Sequence, residues 1–409
     1  MSKQISRILA VLTLLVFTSG LAFAGNTGNV TQTGNDNVAT THQTGDLNTS
    51  DVVQTGNDND SDVDQVGNGN QGDVTQVGDE NTADITQNGN DNTASVTQNS
   101  SFNGDFTAGN WNGRINQVGD DNDAHITQNA DSQTYAHIQQ TGDGNTGSIE
   151  QDGGSGNNAD MHQEGNGNTA HMSQSGNNNH GMDLGARSAS ATSASIRQTG
   201  NDNTVIYFDQ DGDDNSGDVL QVGDNNSTML SQIGNLNDAK VIQTGNNNGN
   251  IFSGADQVGD NNFARVTVTG NNNGYNHTDQ VGNNNDAVID QLGDDNNADL
   301  HQIGNTNEGT INQEGNGNNA GFAPIRGIFQ DGDNNLALLD QFGDNNTGRI
   351  VQEGDWNDAE VDQDGNNNTG RVDQTGFSND AFTDQNGDGH SSNVVQSGNF
   401  NNSLVVQNP

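Results

Sequence analysis

Apolar side chains are sparse along this chain but placed at fixed phase. Val30, Val52, Val63, Val74, Ile85 and Val96 each stand two residues before a glutamine, as do Ile115, Ile126, Ile138, Ile149, Val219, Val241, Ile289, Ile311, Ile350, Val361, Val372 and Val405 farther on. Small residues such as Ala83, Ala94, Ala124, Ala287, Ala298 and Ala359 stand four before it. Polar residues fill the positions between. In the segment Thr82-Ala83-Asp84-Ile85-Thr86-Gln87 this alternation turns Ala83, Ile85 and Gln87 to one face of an extended strand and Asp84 and Thr86 to the other. A turn follows each strand. Gly34, Gly45, Gly56, Gly67, Gly78 and Gly89 come two residues after the glutamine, where positive φ costs glycine nothing, and the Asn and Asp residues beside them tolerate turn conformations.

The marker glutamines keep a period of eleven: Gln32, Gln43, Gln54, Gln65, Gln76, Gln87 and Gln98, then after interruptions Gln330, Gln341, Gln352, Gln363, Gln374, Gln385, Gln396 and Gln407. Asn37, Asn48, Asn59 and Asn70 hold a second file five residues beyond. A short unit repeated at fixed length buries its apolar face only against copies of itself. The reading is therefore all-β: a single-chain β-solenoid, an amyloid-like cross-β stack of about 32 strand-turn units with two units per rung, counting Val268 as a substituted glutamine. Rungs one strand spacing apart make a rod of roughly 75 Å, with Gln over Gln and Asn over Asn in ladders that satisfy buried amides.

Composition alone points elsewhere. A formal charge of -45, 27% hydrophobic residues and 4% aromatics are values of disordered chains, yet disorder needs no fixed register. Fifty-five glycines and the alternation exclude amphipathic helices, and the two prolines, Pro324 and Pro409, fall outside the predicted strands. Lys3 and Arg7 before the apolar run Ile8 to Phe17, with Ala22-Phe23-Ala24 after it, predict a cleaved signal peptide over 1–24. Residues 25–409 then form one continuous array, with loop insertions near 99–112, 180–194, 250–255 and 319–327. Without cysteine there is no disulfide framework. The acidic balance argues against nucleic acid as a partner, and the single short apolar run argues against membrane insertion.

The motif Gln-x-Gly-x-x-Asn-x-Ala-x-x-x-Gln, present as Gln32-Thr33-Gly34-Asn35-Asp36-Asn37-Val38-Ala39 leading to Gln43, resembles the curlin repeat of curli, the extracellular amyloid fibres of bacterial biofilms. The resemblance covers nearly all of 25–409. It implies a secreted subunit that assembles with itself into cross-β fibres, meets a nucleating subunit and an outer-membrane secretion pore, and serves adhesion and matrix building. Asn stands in both halves of each rung here, where curlin repeats often alternate Ser-led and Asn-led halves. The array is also longer than usual, and no long glycine-rich secretion segment precedes it.

Two functional classes stay open. One is the fibre subunit, whose end rungs invite another copy. The other is a monomeric secreted solenoid acting as an adhesin or as an ice- or cation-binding surface, with Thr31, Thr75, Thr86, Thr97 and Thr127 outward but interrupted by Asp64, Asn116 and His162. Acidic doublets such as Asp120-Asp121, Asp213-Asp214 and Asp294-Asp295 read as solubilising turn residues whose repulsion slows assembly at neutral pH. The nonapeptide pattern of calcium-binding β-rolls is missing. His42, His125, His137, His162, His171, His277 and His301 fall on outward phases, so no catalytic, cofactor or metal site is expected.

Overall fold

The computed structural model describes residues 25–99, 101, 113–129, 134–188, 192–249, 253–322 and 325–408. The expected signal peptide, and all of the 99–112 insertion but Asn99 and Ser101, lie outside these.

Alternation of inward and outward residues gives short strands, and the turns return the chain so that each strand pairs in parallel with those two before and two after it. Thr49–Thr55 lies between Thr27–Thr33 and Gln71–Val77, with Val30, Val52 and Val74 in register and Gln32, Gln54 and Gln76 beside them. Alternate strands thus build two sheets of a parallel solenoid of about sixteen turns. Among the described residues one sheet has seventeen strands. The other begins at Val38–Thr44 and among the described residues holds sixteen arms, one of them split.

The turns explain the invariant phases. Gly67 has φ 121°, and a Cβ there would collide with the carbonyl of Gly89 one rung on. Two residues later the chain enters the left-handed region, occupied by Asp36 (φ 54°), Asp58, Asp91 and Asp121, but also by Leu47, Leu236, Trp356 and Phe400. A left-handed non-glycine residue costs about 1–2 kcal/mol, least for Asn and Asp, so the apolar exceptions are strained as well as exposed.

Between the sheets lies a narrow core. Val52, Val63, Ile85, Ile126, Ile289 and Val361 are fully buried. The small phase of one arm faces the large residue of the arm before it. A Cβ on Gly72 would come within 2.9 Å of Val63 Cγ1, one on Gly113 within 2.6 Å of Val96 Cγ1, and ones on Gly217 and Gly348 would overlap Phe208 and Leu339. Glycine at this phase makes room for a bulky partner.

Parts of three of the expected insertions pair within the coil. The segment from His180 contributes a strand, His180–Ser188, paired on both sides with Ala186 in the glutamine register, opposite Gln163 and Gln210. This adds a thirty-third arm to the described array, hidden from a count that followed glutamine. That strand and Thr204–Asp211 each carry one extra residue, so the two bulges stack. Gly254 and Ala255 belong to strand Gly254–Val258. In 319–327 the excursion leaves from the middle of an arm rather than from a turn: Asn319–Phe322 folds back on Ile325–Arg326, and Ile328–Asp331 resumes the same arm over Leu300 and Gln302.

Replacing Gly67 by Ala is expected to lower stability by about 1–3 kcal/mol, from the forced backbone and the carbonyl collision together. A denaturant midpoint unchanged from the parent would refute this account of the turn.

Candidate assembly site: amide ladders and open ends

Each glutamine reaches the one above it. Gln32 Nε2 donates to Gln54 Oε1 (2.7 Å), Gln54 to Gln76 (2.9 Å) and Gln76 to Gln98 (2.9 Å). On the other sheet Gln43 donates to Gln65 (2.9 Å) and Gln65 to Gln87 (2.8 Å). The later ladder runs Gln330 to Gln352, Gln374 and Gln396, and Gln341 to Gln363, Gln385 and Gln407. The second Nε2 hydrogen of many of them crosses the core, as from Gln54 to the Val38 carbonyl at 2.8 Å and from Gln65 to the Thr49 carbonyl at 2.9 Å, so these amides also tie one sheet to the other.

Val268 and Ala186 interrupt the ladders, one in each sheet. In both cases the next acceptor is orphaned: Gln291 Oε1 and Gln210 Oε1 are buried with no hydrogen-bond partner.

The asparagine ladders run the opposite way. Asn59 donates its backbone N–H (3.0 Å) and Nδ2 (2.9 Å) back to Asn37 Oδ1, and Nδ2 also reaches the Gly78 carbonyl (2.9 Å). Asn70 N–H donates to Asn48 Oδ1 in the same manner (3.0 Å).

A third file was not foreseen. Three residues after the glutamine, an Asn or Asp accepts the backbone N–H of the rung before: Asn35 to Asn57 Oδ1 (3.0 Å), Asn57 to Asp79 Oδ1 (2.7 Å), Asn90 to Asp120 Oδ1 (2.7 Å) and Asp120 to Asp143 Oδ1 (2.9 Å). The first member of the doublet Asp120-Asp121 is thus a structural acceptor, and the second takes the left-handed corner. Their fixed phase was the available signal.

Outward residues divide by sheet. Thr75, Thr97 and Thr127 stack, but Thr31 is separated from Thr75 by Val53, and Thr86 lies on the other sheet between Asp64 and Asn116. Among the described residues no group of three or more His, Cys, Asp or Glu side chains is arranged to hold a metal ion.

Two histidines are not the surface residues expected. His277 packs at 3.3 Å from Asp256 Oδ2 and 3.9 Å from Asp299 Oδ1, and His301 lies 2.7 Å from Asp279 Oδ2, stacked on Phe329. Their side chains are only 12% and 10% exposed, and His301 lies opposite Phe329 of the split arm. Burial opposes protonation of His277, but Asp256 and Asp299 outweigh it and push the imidazole up to about 9. Burial also pushes the Asp84 carboxyl up to about 6, with Arg114 opposing and Asp62 and Asp64 adding to the rise. Asp60, Asp62, Asp340, Asp358, Glu360 and Asp362 are raised in the same direction, chiefly by burial.

Among the described residues the outer edges of the end strands are unpaired. Thr27–Thr33 bonds only to Thr49–Thr55 and Val38–Thr44 only to Asp60–Val66. At the far end Ser391–Asn399 bonds only to Thr369–Phe377 and Asn402–Gln407 only to Asp380–Asn386. Val30, Ala39 and Val405 are accordingly only partly buried. Gln32 and Gln43 have no earlier rung to donate to their Oε1 atoms, and Gln396 and Gln407 have no later one to accept from Nε2.

Comparison with known families matches the curlin associated repeat at residues 24–56, 34–67, 67–99, 119–153, 154–180, 212–245, 278–304, 293–322, 327–347, 343–376 and 365–398. The chain belongs to the curlin repeat family. The unmatched stretches 181–211 and 246–277 contain Ala186 and Val268, where the glutamine is lost from this curlin array. No individual curated protein matches the chain.

Restoring the ladder by Val268→Gln is expected to raise stability by about 1 kcal/mol, because Gln291 Oε1 gains a donor; an unfolding midpoint that falls would count against the ladder.

The pH dependence has one sign throughout. Carboxyls raised in the fold bind protons more tightly than in the unfolded chain, so stability grows as pH falls from about 6 to about 4. His277 contributes fully below its unfolded value near 6.5, and its contribution is lost as pH rises through about 9. Denaturant midpoints should therefore decline from about pH 4 to 6, less steeply in Asp84→Asn, and again from about pH 6.5 to 9, less steeply in His277→Gln.

Proposed function

We propose that this chain is a secreted structural subunit whose copies join end to end in extracellular curli-like amyloid fibres that build biofilm matrix and support adhesion. The observation that carries the reading is the pair of open ends. Each presents two parallel strand edges with unspent backbone groups, and the glutamine ladder gives one end acceptors and the other donors. Such a contact is heterologous and does not close on itself, so repetition makes a filament rather than a ring or a two-fold dimer. Membership in the curlin repeat family supports the same reading. No helix among the described residues is long and apolar enough to cross a membrane. By family resemblance the partners, besides further copies of the chain, are a nucleating subunit and an outer-membrane secretion pore.

Electron microscopy and fibre diffraction on chain released from denaturant test this. The expected outcome is long unbranched fibres with a reflection at about 4.8 Å along the axis, forming faster near pH 4 than near pH 7 as buried carboxyls are neutralised. Rods of one chain's length that stay monomeric would reject the fibre reading and bring forward recognition of a ligand or surface by the outer faces.

A further inference from the structure

The end-to-end reading leaves open how one copy is oriented on the next, and the parity of the array decides it. Consecutive arms alternate between the two sheets. The described array has an odd number of arms, so its first strand, Thr27–Thr33, and its last, Asn402–Gln407, lie in the same sheet. The next vacant place along the coil is therefore on the other sheet, against Ser391–Asn399. If like sheet were laid on like, Thr27–Thr33 would cover Asn402–Gln407, but Val38–Thr44 would stand one strand short of Ser391–Asn399. Two edges would stay unpaired around a gap lined by Val394, Gln396, Ala39 and Thr41.

We propose that neighbouring copies are related by a half turn about the fibre axis, so that each sheet of one copy is continued by the other sheet of the next. The first strand of the added copy then lies on Ser391–Asn399 and its second on Asn402–Gln407, and all four end edges are paired. The chemistry of the seam agrees. In the register kept throughout the coil, Val30 stacks on Val394 and Gln32 on Gln396, while Thr41 meets Val405 and Gln43 meets Gln407. Nε2 of Gln396 and Gln407 then finds the Oε1 atoms that no earlier rung supplies. In the adjoining turn the backbone N–H of Asn37 comes over Asn401 Oδ1, the contact that Asn401 N–H itself makes to Asn379 at 3.1 Å. The exchange of sheets costs nothing in packing, because both carry the same small, branched and amide phases, as Ala83, Ile85 and Gln87 in one and Ala94, Val96 and Gln98 in the other show.

This inference rests on the fibre reading, and helical reconstruction of fibres of the processed chain separates the two. Expected are successive copies rotated by a half turn beyond the twist accumulated within a copy, with an axial rise of about 79 Å, or roughly sixteen and a half strand spacings. A variant lacking residues 44–54, which removes one arm with its turn and leaves an even number, should lose the half turn. Fibres of the parent whose copies repeat without it overturn the sheet exchange and leave end-to-end assembly standing, whatever the variant does. Absence of fibres overturns both.

Discussion

Everything in this fold follows from stacking equivalent residues at one strand spacing. A side chain in such a coil meets its own kind above and below, which suits branched hydrocarbons and penalises charges. A primary amide is the polar group that answers itself: it donates from one end, accepts at the other, and repeats without limit. That property lets a chain with 27% hydrophobic residues hold an interior. Glutamine spans the core and bonds both along the axis and across to the opposite sheet, while asparagine secures the corners. The two file types run in opposite directions along the rod, the earlier glutamine donating forward and the later asparagine donating back.

Much of this was written in the periodicity. The Gln, Asn and Gly phases, the alternation within a unit and the pairing of two units per turn were visible because each is a local rule repeated many times. What escaped were places where a rule is obeyed by a different residue. Ala186 keeps the register without the amide, so its arm looked like a loop. Asp120 looked like solubilising charge, although its Oδ1 atom holds the rung before. The excursion after Ala320 lengthened the spacing without revealing where it left the strand, since a period counts residues and says nothing of the point of departure. His277 and His301 are outward by phase, and only the tertiary surroundings bury them.

The narrow interior also explains how irregularities are absorbed. A large side chain such as Phe208 is accommodated by glycine at position 217 on the facing arm, and the extra residue of one strand is matched by an extra residue in the next before regular pairing resumes at Ser227–Ile233. Charge is handled less fully. Carboxylates held against the sheets are desolvated and crowded by their counterparts in adjacent rungs, which makes the folded coil more at ease when they are protonated.

Because a strand bonds only to the strands two before and two after it, no rung depends on its distance from either end. The glutamines at positions 54 and 363 do the same work in interchangeable surroundings. Gene duplication could therefore lengthen the rod by whole turns without redesign, and loss of a turn would shorten it as harmlessly. Selection on such a protein acts on how many turns it has and on the two faces where counting stops, while the interior is free to drift among residues that satisfy a single repeated rule.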